Sequence, residues 1–134
     1  MIYALDANFI FEYLRLNPTL RSKFDEAVEN GNSFVIPVYV NYEVMRGFRY
    51  IPASRKASVY SVLRANCPVI SLNTATWELA EEIWATLRSK GKTVDDADIL
   101  TAAQCIQYGY TLITHNTKHF EFIDGVNFLN WQEQ

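Results

Sequence analysis

The chain has only two cysteines, Cys67 and Cys105, in 134 residues. They lie far apart and match no zinc or redox spacing. Both read as reduced core residues of a cytosolic protein. Histidine is equally scarce. His115 and His119 stand four apart and could share a helical face, but no third ligand accompanies them, and zinc sites use three or four. No apolar run approaches the roughly 18 residues a membrane span requires. The first residues, Met1 to Asp6, lack a basic segment, and Asp6 interrupts their apolar run, so no signal peptide is expected. Repeats, low-complexity tracts and long linkers are missing too. Acid is absent from Val44 to Trp77, where Arg46, Arg49, Arg55, Lys56 and Arg64 lie. The net charge of −3 does not advertise a nucleic-acid binder. A locally basic segment can still hold a polyanion, and a solvated helix face explains it equally well.

What is present is an ordinary globular composition, 49 % hydrophobic and 20 % charged. The length fits one domain, residues 1–134. Such a chain buries roughly two thirds of its unfolded surface and folds without metal or disulfide. Costly clusters of charge are therefore not needed for stability. Ile2–Leu5, Ser33–Val38, Pro68–Leu72, Tyr110–Thr114 and the tail around Val126–Leu129 read as short strands. Helical spacing fills the intervals. Ala7–Leu16 ends at Asn17-Pro18, and Thr19 precedes a second helix to about Asn30. Helices follow at about Tyr39–Phe48 and Ala53–Ala65, from a Thr74 cap to Ser89, and from Asp95 or Asp96 to Gly109. Strands separated by helices give an α/β fold with a parallel sheet covered on both faces. Ligands of such sheets bind at the carboxyl ends of the strands.

That rule directs attention to the acids. Asp6 ends the first strand, and Asn116 stands two residues after the Tyr110–Thr114 strand. Asp98 lies in the first turn of the helix before that strand, with Asp95 and Asp96 just ahead of it. Glu43 lies one turn into the helix after the second strand. Each has an ordinary structural use. Asp6 can cap a helix, the aspartates can complement a helix dipole, and Glu43 can be a solvated helix residue. Together they bring acids from three places to one edge. Converging carboxylates repel unless a cation neutralises them, and oxygen ligands without Cys or His suit Mg²⁺ or Mn²⁺. Such a centre can activate water against a phosphate ester.

At these residues the sequence resembles the PIN-domain ribonucleases, specifically the VapC-type toxins of bacterial toxin–antitoxin pairs. The matching stretches are Leu5–Asn8, Val40–Gly47, Gly91–Ala103, Leu112–Phe120 and Gly125–Trp131, in the family's order over nearly the full length. The resemblance implies a three-layer αβα sandwich with a central, mainly parallel sheet of four to five strands. It implies Mg²⁺- or Mn²⁺-dependent endonucleolytic cleavage of RNA. The family's first aspartate falls on Asp6, its glutamate on Glu43, its third acid on Asp98 and a fourth position on Asn116. Asp6, Glu43 and Asp98 would bind the cation, with Asn116 completing or orienting the shell. Asn8, Asp95 and Asp96 would be outer contacts, and Arg46 and Arg49 would hold RNA phosphate. Two departures bear on a two-metal mechanism: Asn116 is neutral, and His119 stands where relatives often carry an acid. The family commonly forms homodimers and is silenced by an antitoxin, for which exposed apolar residues on the first helices would suit. Phe9, Phe11 and Tyr13 read as core and interface.

Two rivals stay open. One is a PIN-like module that holds RNA or protein without cutting. The other is a phosphatase or phospho-acceptor domain using Asp6 covalently. Haloacid-dehalogenase-type enzymes want a second Asp where Asn8 stands, and receiver domains want an acidic pair where Asp6 is alone.

Overall fold

The computed structural model describes residues 1–132; the last two residues of the chain lie outside it. Five strands form one sheet: β1 (Ile2–Leu5), β2 (Ser33–Pro37), β3 (Val69–Ile70), β4 (Thr111–Ile113) and β5 (Asn127–Leu129). Their order is β3-β2-β1-β4-β5, and every neighbouring pair is parallel. Parallel strands need crossovers. Among the described residues, seven helices lie between and beside them: α1 (Ala7–Leu14), α2 (Pro18–Glu29), α3 (Val38–Tyr50), α4 (Ser54–Asn66), α5 (Thr74–Ser89), α6 (Asp96–Tyr108) and α7 (Thr117–Phe120). None of the described helices is long and apolar enough to cross a membrane.

The strands are short apolar runs because both of their faces are covered. Successive strand side chains point to opposite faces, so each strand feeds two cores. Leu5, Phe34, Ile36 and Ile113 join Phe9, Leu20, Phe24, Tyr60 and Leu63 of α1, α2 and α4. Ala4, Val35 and Leu112 join Ile83, Leu87, Ile99 and Phe120 of α5, α6 and α7. Helices on both sides of an all-parallel five-stranded sheet make the three-layer αβα arrangement expected from the sequence. Phe9 is fully buried, Tyr13 packs against that first core, and Phe11 stays partly exposed.

Cysteine behaves as expected. Cys67 sits in the first core and Cys105 in the second. Burial pushes the Cys67 thiol up to about 11 and that of Cys105 to about 12, so neither is a thiolate near neutral pH.

Several boundaries differ for local reasons. Asn17-Pro18 starts α2 as well as ending α1: the Asn17 side chain accepts from the amides of Thr19 and Leu20, and Pro18 takes the first helical position, where its missing N–H costs nothing. The cap of α5 is Asn73, one residue before Thr74. The third strand shrinks to Val69–Ile70 because β2 is its only partner. The four-residue α7 has no counterpart in the sequence reading, and His115 precedes it. The two histidines therefore share no helix.

Helix α6 stops at Gly109, whose left-handed backbone (φ 70°) frees it to reverse the chain into β4. A β-carbon there would meet nothing within 4 Å, so the cost of adding one is conformational alone. Gly109→Ala is expected to lower unfolding free energy by about 1–2 kcal/mol in urea titrations.

Strand order also fixes where a ligand can sit. The chain runs from β1 outward through β2 to β3 on one side, while β4 and β5 lie on the other. The crevice between the carboxyl ends of β1 and β4 is thus the topological switch point.

Candidate active site at the carboxyl edge of the sheet

Leu5 pairs with Ile113 at the ends of β1 and β4, so the next residues, Asp6 and Thr114, emerge side by side. The Asp6 amide donates to the Ile113 carbonyl at 3.1 Å, and the Thr114 amide donates to Leu129 at 3.0 Å. Asp6 does cap α1: its Oδ1 accepts from the Ala7 amide at 2.9 Å. Its Oδ2 faces the crevice wall, accepting from Thr114 Oγ1 at 2.7 Å and Asn8 Nδ2 at 3.2 Å. One carboxylate oxygen thus serves the cap and the other the contacts with Thr114 and Asn8.

Asn8 joins the two strand ends. Its Nδ2 also donates to Thr114 Oγ1 at 3.2 Å, and its Oδ1 accepts from the His115 amide at 3.0 Å. The Thr114 hydroxyl accepts from the Asn116 amide at 3.0 Å. Thr114 is fully buried and is the hub of this network. Sequence reasoning missed it as a site residue. The available signal was a hydroxyl at the carboxyl end of an otherwise apolar strand. Thr114→Val should leave Asp6 Oδ2 short of a donor and strand two further groups, lowering unfolding free energy by about 1–3 kcal/mol in denaturant melts.

Asp6 is 6 % exposed, and burial raises its carboxyl above the usual aspartate range despite the three hydrogen bonds that oppose the shift. Glu43, half-buried on α3, is raised chiefly by burial and then by the negative charges of Asp6, Asp98 and Asp95, with Arg46 opposing. Asp98, on the first turn of α6, is raised by burial and then by Asp6, with His119 opposing. Three carboxylates from three elements thus lie within each other's fields. Asp95 is the N-cap of α6 without using its side chain as a cap, and both Asp95 and Asp96 are exposed. Asn116 is exposed at the N-cap of α7 and likewise makes no side-chain cap.

The acids are neighbours but not gathered. Among the described residues, no three His, Cys, Asp or Glu side chains stand close enough together to enclose an ion. Asp6 is held by Thr114 and Asn8, while Asp98 Oδ2 is held by His119 Nδ1 at 2.8 Å. The donor set nevertheless fits a hard divalent cation. All three principal groups are carboxylates, each disfavoured in its ionised form by its surroundings, and Asp6 has accepted three of the roughly four hydrogen bonds its oxygens can take.

Positive charge lies beside the acids. Arg46 projects from α3 one turn beyond Glu43 and lays its guanidinium 5.0 Å from the centre of the Tyr42 ring. Arg49 is exposed in the last turn of the same helix. Arg64 has a structural role: half-buried on α4, it lies over the Tyr60 ring and reaches Asn41 Oδ1 at 3.5 Å. Arg55 and Lys56 are exposed in the first turn of α4. The acid-free stretch is therefore not one basic surface.

Comparison with known proteins agrees with this fold. Ribonuclease VapC2 of Rickettsia felis is 25 % identical over 137 residues, covering 99 % of this chain and all of that protein. Ribonuclease VapC19 of Mycobacterium tuberculosis is 25 % identical over 119 residues, covering 87 % of this chain and 90 % of the relative. The crystal structure of VapBC2 from Rickettsia felis, bound to a DNA fragment from their promoter, superposes with a TM-score of 0.90 at 22 % identity, over 98 % of this chain and 99 % of that one. The family model for the PIN domain matches residues 3–125. The all-parallel sheet and its flanking helices thus belong to a recognised architecture, and the chain is a member of the PIN domain family.

Proposed function

We propose that this protein is a divalent-metal-dependent endoribonuclease, the toxin of a type II toxin–antitoxin pair. The observation that carries the reading is that Glu43 and Asp98, at the carboxyl edge of the sheet, are each pushed up in part by the charge of Asp6. The relatives named as VapC ribonucleases supply the substrate class. The VapBC complexes among the similar structures supply the partner class, a cognate antitoxin. A homodimer and a cytoplasmic location complete the proposal.

Asp6, Glu43 and Asp98 are the residues to hold Mg²⁺ or Mn²⁺. The bound ion supplies Lewis acidity toward water and the scissile phosphate oxygens. The chain's own groups do the rest. Thr114 and Asn8 fix the rotamer of Asp6. His119 steadies Asp98. Arg46 and Arg49 carry charge to the rim beside Glu43, where they hold backbone phosphate without reading sequence. Asn116 orients outer polar contacts from the start of α7, and Asp95 and Asp96 add negative charge at the mouth. One ion suits this set better than two, since Asn116 brings no charge.

The test is incubation of the purified chain with RNA in Mg²⁺ or Mn²⁺, with a chelator control. Internal cuts that vanish with chelator are expected. Intact RNA in both ions would overturn the proposal. One observation favours a rival, the non-catalytic RNA- or protein-binding module: no three ligands already enclose an ion. That rival requires RNA binding without turnover in the same assay.

A further inference from the structure

Beside Asp98, the surface holds a cavity of about 240 Å³. Asp95 and Asp98 line it from the start of α6, Lys92 from the loop before that helix, Lys118 and His119 from α7, and Phe122 from just beyond. Neither lysine forms an ion pair among the described residues, although both share the cavity with two aspartates. Lys90, two residues before Lys92, does pair, with Asp124 at 3.6 Å. Lys92 Nζ instead rests 4.3 Å from the centre of the partly exposed Phe122 ring. Two exposed ammonium groups thus remain uncompensated beside a carboxylate of the candidate centre.

We propose that this cavity is a subsite for the RNA phosphate adjoining the scissile one, held by Lys92 and Lys118. The inference rests on the ribonuclease reading and specifies its substrate as a single strand crossing the acids. With Arg46 beside Glu43 and the lysines beside Asp98, a strand lying over the carboxylates meets cations next to two of them. Such positive charge offsets the repulsion that a polyanion meets at an acidic centre. The spacing of neighbouring phosphates, rather than base identity, is what such a subsite measures. Phe122 offers an apolar face for the adjoining sugar or base once Lys92 turns to the phosphate.

The test compares the wild-type chain with K92Q/K118Q and K92R/K118R. Both side chains to be changed are exposed lysines, so folding is expected to persist. Binding of a labelled single-stranded RNA is followed by fluorescence anisotropy in chelator over a range of salt, and cleavage kinetics are measured in Mg²⁺. The Gln pair should reduce the magnitude of the log K against log salt slope by about 0.7, the value for one phosphate contact on a single strand. Its KM should rise about tenfold with kcat little changed, as expected for the loss of two exposed charge contacts. The Arg pair should restore both. An unchanged slope and KM in the Gln pair, with the wild type cleaving normally, would overturn the subsite and leave the ribonuclease reading standing. Lysine-dependent binding by a wild type that never cuts would support the subsite and overturn the ribonuclease reading.

Discussion

Asp6→Asn is expected to give a folded protein whose metal-dependent RNA cleavage falls by more than about 100-fold. Losing a group that merely orients a metal ligand already costs about 10–100-fold, so removing a ligand's charge must cost more. The fold should survive because Asn caps helices as well as Asp does, and its oxygen can keep the bond from the Ala7 amide. Two stability effects oppose each other. A neutral amide no longer carries buried charge, but its NH₂ meets the Asn8 Nδ2 donor that now serves Asp6 Oδ2. The net change should stay within about 1 kcal/mol. Urea melts and a quenched-fluorophore RNA cleavage assay on the same preparation check both halves. Wild-type cleavage by this variant would remove Asp6 from the centre.

Mg²⁺ or Mn²⁺ should raise the melting temperature, and should do so more strongly as pH rises through the carboxylate range. Asp6, Glu43 and Asp98 all have folded pKa values raised above their ordinary 3.8 to 4.5. The native state therefore binds protons more tightly than the unfolded chain, so these groups favour folding at low pH and that contribution is lost as pH rises through the folded values. A divalent ion replaces the lost protons, which is why its effect grows over the same interval. An ion present at ten times its dissociation constant adds about 1.4 kcal/mol, or roughly 3–6 °C for a domain of this size. Thermal melts from pH 4 to 8, with and without 5–10 mM ion (on the order of ten dissociation constants for a weak site), make the comparison. The increment should vanish in Asp6→Asn. A flat melting temperature in both ions would count against a shared site.

Much of the fold could be read from residue order. Short apolar runs separated by helical spacing imply a parallel sheet, because only a sheet covered on both faces needs strands without polar alternation. The edge rule then placed Asp6 at a strand end, where the register of Leu5 with Ile113 sets it beside Thr114. Contacts between distant segments were not legible. Nothing in sequence spacing couples Asn8 to His115, or His119 to Asp98, since the first bond depends on the pairing of β1 with β4 and the second on how α7 lies beside α6. The helix α7 is too short to show a period, and its absence from the sequence reading hid the lysine cavity. The acid-free stretch misled in the other direction. Linear clustering of Arg46 and Arg64 says nothing about their separate uses, one on Tyr42 beside Glu43 and the other on Tyr60 in the core layer.

Asp6, Glu43 and Asp98 are to act as one ligand set, although Asp6 is held by Thr114 and Asp98 by His119. A crystal grown with Mn²⁺ and measured at the manganese absorption edge tests this directly. A single anomalous peak is predicted between the three side chains, with Asp6 Oδ2 among its ligands. A peak elsewhere, or carboxylates that stay apart with no peak at saturating Mn²⁺, would contradict it.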